Sequence, residues 1–145
     1  MIDKSDEIFD YYKEYIESNS KYGTRVVKYN TNTSTYFPLI TFVQSNNTDI
    51  DTQTTKDIDH FENYYFTIDI YTKNKIIDGV TIASQLISKE SEILTSQFFR
   101  KLNMKKTLNK PIPNLDTSIF RVTMQYQCVI GNRGNIIRRW NYERI

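Results

Sequence analysis

The chain has 145 residues, with 19 Lys+Arg, 17 Asp+Glu and one His, a length that fits one hydrophobic core rather than two. Aromatics make up 14% of it and charged residues 25%, which argues against long disorder. A lone Cys excludes a disulfide framework, one His excludes a multi-histidine metal site, and no apolar run approaches the ~18 residues of a membrane span.

The first ten residues are acidic and polar, so no secretory signal is expected and folding in a reducing cytoplasm is. Ser5 is expected to cap a first helix, with Asp6 and Glu7 in its first turn. Ile8, Tyr12, Tyr15 and Ile16 share one helical face, and the helix should end near 18–20, before Gly23. Residues 24–29 read as a short strand, 30–35 as a polar turn, and 37–43 as a strand apolar on both faces. Pro38 cannot donate to a ladder and belongs at that strand's start or at a bulge. Residues 46–59 read as a long polar loop, a length that often marks function.

Residues 64–72 alternate: Tyr64, Phe66, Ile68 and Ile70 point one way, Tyr65, Thr67, Asp69 and Tyr71 the other. That pattern predicts a half-buried antiparallel strand. Asn74 is expected to cap a long helix carrying Ile76, Val80, Ala83, Ile87, Leu94 and Phe98, with the polar run 88–92 exposing one turn or breaking it. A strand is expected at 101–109, then an extended turn at Pro111-Ile112-Pro113-Asn114. Residues 118–130 alternate most clearly, with Phe120, Val122, Met124, Tyr126, Cys128 and Ile130 on one face and Arg121, Thr123, Gln125 and Gln127 on the other. A turn at 131–135 and a last strand at 136–142 close the chain. The order helix, strands, long helix, strands predicts one α+β domain over 1–145. Its antiparallel or mixed sheet would carry the N-terminal and long helices on one face, with 131–145 as a C-terminal extension.

Chemically equipped clusters are sparse. Asp57, Asp59, His60 and Glu62 are the one group of candidate metal ligands, but strand alternation divides rather than converges them. Cys128 lies on the apolar face of the strongest strand, where Cys behaves as a small hydrophobe. The GNRGN turn matches no phosphate-loop spacing. The chain therefore reads as a non-enzyme without cofactor or metal.

Charge is uneven. Residues 1–99 hold 9 basic and 15 acidic side chains, net −6, whereas 100–145 hold 10 basic and 2 acidic, net +8. The basic third could meet nucleic-acid phosphates, the acidic part of a neighbouring identical subunit, or simply the acidic part of its own fold. Lys105, Lys106, Arg138, Arg139, Trp140 and Tyr142 mix cations with aromatics, but a pI near 8.5 is low for a nucleic-acid binder.

The segment 98–130 contains the turn Pro111-Ile112-Pro113-Asn114-Leu115-Asp116, followed by Ile119-Phe120-Arg121 and an alternating strand. With the Phe37-Pro38 strand start, Tyr71-Thr72-Lys73 and the long helix in the same order, it resembles the tail terminator family. These are the tail-completion or head–tail joining proteins of long-tailed bacteriophages and phage-tail-like particles. The resemblance covers residues 36–130, about two thirds of the chain, and its specific motif is the PIPNLD turn. It implies a structural virion protein forming a homohexameric ring. That ring would cap the tail tube, end its polymerisation and offer the head-joining surface. Its implied partners are itself, the tail tube protein, a head–tail connector or neck protein, and a sheath where the tail contracts. DNA would only pass through the channel, and no membrane is involved. Its place would be the head-proximal end of the tail, after assembly in the host cytoplasm. The alternatives are a head-side connector sealing the portal and a small nucleic-acid-binding module.

Three groups are the expected interface residues. Arg100, Lys101, Lys105 and Lys106 follow the long helix and suit an acidic neighbour. Pro113, Asn114, Asp116 and Arg121 shape the rigid turn, where a purely structural role competes. Arg138, Arg139 and Trp140 suit a tube or head partner.

Overall fold

The computed structural model describes residues 5–28, 36–49, 61–113 and 116–131. The expected turn at 30–35, Asp57, Asp59, His60, Asn114, and the segment beyond 131 with Arg138, Arg139 and Trp140 lie outside the described residues. The elements run α1 (Ser5–Asn19), β1 (Arg25–Val27), β2 (Leu39–Asp49), β3 (Phe61–Thr72), β4 (Lys75–Ile77), β5 (Val80–Ile82), α2 (Ser84–Lys101), β6 (Lys105–Pro111) and β7 (Phe120–Gly131).

Five strands form one sheet in the order β1-β2-β3-β7-β6. Its pairs are antiparallel except β1 with β2, so the sheet is mixed. The alternation in β3 is what builds it. Tyr64, Phe66, Ile68 and Ile70 are buried, and Ile68 stands between Phe42 of β2 and Met124 of β7. Both helices cover this one face: Ile8, Tyr12 and Ile16 of α1 and Phe98 and Phe99 of α2 join Ile40, Phe42, Val122, Met124 and Tyr126 in a single core. This is the α+β arrangement expected from the sequence. Pro38 sits just before β2 after a cis Phe37–Pro38 bond, and its carbonyl accepts from Arg25 N–H at 3.2 Å.

The aromatic residues concentrate where the helices meet the sheet. Tyr12 packs on Phe42, Phe98 and Phe99, and Phe99 stacks on Tyr126 with centroids 4.3 Å apart. The Tyr12 hydroxyl shares a 2.8 Å hydrogen bond with Thr95 Oγ1, which satisfies a phenol whose ionisation burial strongly opposes. Thr95 belongs to a buried polar stripe on α2 with Ser88 and Ser91. Ser88 donates to Glu92, but the buried Ser91 Oγ has no hydrogen-bond partner among the described residues. Ser91→Ala is therefore expected to leave stability unchanged or raise it by up to about 1 kcal/mol; a loss above that in a urea melt would show that the hydroxyl has a partner.

Three boundaries differ from the sequence expectation. The strand β2 runs through Asp49, so the first four residues of the expected 46–59 loop belong to it, with Asn46 and Asp49 paired to Tyr64 and Glu62 of β3 across a register shift. The second difference is larger. Residues 75–82 form a hairpin, not the start of the long helix. Asp78 and Gly79 have φ of 52° and 78°, the double positive φ that a two-residue type I′ turn requires and that Asp-Gly supplies. Ile76 and Val80 happen to sit at helical spacing, which masked the turn. The N-cap residue is Ala83 rather than the expected Asn74, whose Oδ1 nonetheless accepts Ser84 N–H at 2.8 Å across the hairpin. The run 88–92 then stays helical, and α2 is unbroken.

Third, the expected strand at 101–109 begins only at Lys105, because α2 continues through Lys101. Asn103 has a φ of 57°. Its N–H reaches Arg100 O at 3.0 Å and Met104 N–H reaches Phe99 O at 3.2 Å. This double closure with an Asn in the left-handed position is a Schellman motif, and Met104 and Phe99 supply its apolar contact.

Both outer strands carry features that oppose strand addition, but β1 covers only Leu39–Thr41 of β2. At β1, the Val26 N–H donates to Glu17 Oε2 at 3.1 Å and its carbonyl accepts from Lys13 Nζ at 3.2 Å. Lys13 and Glu17, themselves paired at 2.7 Å, thus occupy the edge from α1. At β6, exposed Lys105, Lys106 and Lys110, a register shift after Lys106 and a terminal Pro111 blunt the edge. Burial pushes the Glu17 carboxyl up, but Lys13, the Val26 N–H and Arg25 outweigh it and hold the group below its ordinary value. A depressed folded-state value makes the contribution complete above pH ~4.3 and lost as pH falls through that lower value. Glu17→Gln should therefore lower stability by about 0.5 kcal/mol or less at neutral pH, and its curve should meet the wild-type curve on the acid side. Parallel curves down to acid denaturation would exclude this role for the carboxylate.

Candidate functional site

The surface divides by position along the sheet. Lys105 of β6 pairs with Gln127 and Pro111 with Val122, so the start of β6 and its end lie at opposite ends of the strands. At one end the Schellman turn folds the chain back on itself. It thereby gathers Arg100 and Lys101 from the last turn of α2 with Lys105 and Lys106 from the start of β6. This basic corner brings the first expected interface group to one end of the fold, with Lys106 beside Tyr126 on the helix-covered face and Lys105 beside Gln127 on the opposite face. Lys106 Nζ donates to Ser96 Oγ at 3.1 Å, and Lys101 Nζ lies 5.0 Å from the Tyr15 ring centroid.

Beside Lys101 a cleft of about 290 Å³ opens between α1 and the end of α2. Tyr11, Tyr15, Phe98 and Leu102 line it, with Glu14 and Lys101 as charged members. Tyr15 is held by donating to Gln97 Oε1 at 3.0 Å. The cleft suits an apolar insert, and its two charged members, Glu14 and Lys101, carry opposite signs.

The opposite end of the sheet carries the hairpin β4–β5 and the turn between β6 and β7. Ile76 is 71% exposed and Val80 59%, an unusual exposure for aliphatic side chains on a strand pair. The hairpin is moored through its first residue: Lys75 Nζ donates to Tyr22 O at 2.8 Å. Sequence reasoning missed this hairpin as a surface feature, although the Asp-Gly dipeptide flanked by β-branched residues is its signal.

The second expected group divides. Pro113 is exposed at the end of the turn. Asp116 Oδ1 accepts from Ser118 N–H at 2.9 Å and Ser118 Oγ at 2.6 Å, and these bonds lower the carboxyl's proton affinity. Its role is to form the turn. Arg121 stands apart on the sheet face that no helix of the described residues covers. Its Nε and Nη2 both donate to Asp69 Oδ1 at 3.2 Å, and its guanidinium lies 5.5 Å from the Tyr71 ring centroid. Thr123 donates to the same Asp69 oxygen. These bonds tie β3 to β7 at the end of the sheet away from the basic corner.

Among the described residues no group of three or more His, Cys, Asp or Glu side chains is placed to hold a metal ion. No helix among them is long and apolar enough to cross a membrane. No protein-family model matches the chain, and no curated protein matches it.

Proposed function

We propose that this chain is a structural subunit that assembles head-to-tail into a ring and caps the end of a phage-type tail tube, ending its growth and offering a joining surface for the head. The observation that carries the proposal is the placement of two unlike surfaces at opposite ends of one subunit. An apolar hairpin stands at one end, and a basic corner with an apolar cleft at the other. Unlike ends make heterologous contacts, and heterologous contacts close into rings when the rotation between subunits permits. The order of elements and the PIPNLD turn support the tail-terminator form of that ring.

Ring association should weaken as salt rises through the range where the Debye length shrinks from ~10 Å to ~3 Å. The proposal is tested by adding purified chain to growing tail tubes. Tubes should stop elongating, with labelled chain found at one tip only. Label along the tube sides, or undiminished growth, would contradict capping. Steeply salt-sensitive retention on immobilised DNA in place of tube binding would favour a nucleic-acid module.

A further inference from the structure

The β4–β5 hairpin has a shape that a flat partner surface cannot satisfy. Ile76 pairs with Thr81 and Ile77 with Val80, so Ile76 and Val80 project from opposite faces of the two-stranded ribbon. Both are more than half exposed. A two-stranded ribbon is marginal by itself, and burying aliphatic groups on both of its faces requires a groove that encloses it. Its tip carries Asp78, an acidic group between the two apolar flanks.

The cleft beside α1 has the complementary composition. Tyr11 and Tyr15 supply aromatic walls over the buried Phe98 and Leu102, and the exposed Lys101 and Glu14 supply one cation and one carboxylate. The hairpin does not occupy its own cleft. It is joined to the first residue of α2, whereas Lys101 is the last residue of that helix, roughly 25 Å further along the axis at 1.5 Å per residue. The separation leaves another molecule as the occupant that both surfaces fit.

We infer that the hairpin enters the α1–α2 cleft of a second copy of this chain, with the Asp78 carboxylate meeting Lys101 at the rim. Ile76 and Val80 pack against the aromatic walls, and the contact is heterologous, so each subunit gives a hairpin and receives one. This inference deepens the ring proposal and rests on it. It identifies which two surfaces repeat around the assembly.

The test uses the full chain in a Cys128→Ala background, each variant being checked for native circular dichroism and an unchanged cooperative melt. Ile76→Cys and Tyr11→Cys proteins are mixed at high concentration and treated with a short bis-maleimide, which spans pairs that a disulfide would miss. The expected product is a cross-linked dimer in the mixture and not in either variant alone. The chain carrying both substitutions should give a ladder of multimers. Lys101→Glu should lower the yield about fivefold, the scale of an exposed ion pair, and Asp78→Asn, which keeps the left-handed turn position, should lower it in the same direction. Folded variants that fail to link in the mixture would overturn the inference. So would Ile76→Cys linking to itself, because that contact would be isologous. The outcome is separable from capping: linkage by a chain that does not stop tube growth would contradict the function and keep the contact, and tube capping without linkage would do the reverse.

Discussion

Phe99→Ala is expected to cost about 3–5 kcal/mol of folding stability, read as a fall in the urea midpoint with little change in slope. The ring is fully buried and central. It stacks on Tyr126 at 4.3 Å, meets Phe98 edge-on at 5.1 Å and lies 5.5 Å from Tyr12. These neighbours come from β7, α2 and α1, so one truncation loosens both helices from the sheet. Phe99 is also the residue whose carbonyl closes the Schellman turn, which ties the core to the corner that carries Lys101, Lys105 and Lys106. A loss below about 1.5 kcal/mol would mean that the site collapses around the void, against the packing described.

Asp69→Ala is expected to cost about 2 kcal/mol, the scale of a lost hydrogen-bonded charge partner. The carboxylate is only 13% exposed and receives two donors from Arg121 and one from Thr123. Asp69 and Thr123 are direct cross-strand partners, and Arg121 is diagonal to Asp69 beside Tyr71. Removing the acceptor strands a cation on a half-buried face. Removing both partners strands nothing, so Asp69→Ala with Arg121→Met should cost less than the two single losses added. The double-mutant cycle in urea checks this. Additive losses would mean that Arg121 acts outside the fold, as an interface residue.

Much of the fold was legible because β3 and β7 alternate cleanly with one face apolar, and α1 carries Ile8, Tyr12 and Ile16 at helical spacing. The misplaced boundaries have local causes. Between Asn74 and Ser84, Ile76 and Val80 mimicked a helical stripe and hid the Asp78-Gly79 dipeptide, whose positive φ values turn the chain into a hairpin. At the far end of α2, Asn103 turned the chain where apolar spacing alone gives no stop.

The candidate surface was only partly legible. Arg100, Lys101, Lys105 and Lys106 are close in sequence, so their grouping needed no tertiary information. Arg121 did, because its partner Asp69 is 52 residues away and charge counts cannot pair them. The cleft was invisible for a similar reason. It is made by a stripe on α1 meeting the end of α2, and each half reads by itself as ordinary core-facing helix.

The most direct test of the central claim is the tail-length distribution, by negative-stain electron microscopy, of particles assembled without this chain. Overlong or irregular tails without heads are the predicted result. Tails of normal length beside unattached, leaking heads would contradict tail capping and move the chain to the head side, and particles indistinguishable from normal would remove it from virion assembly.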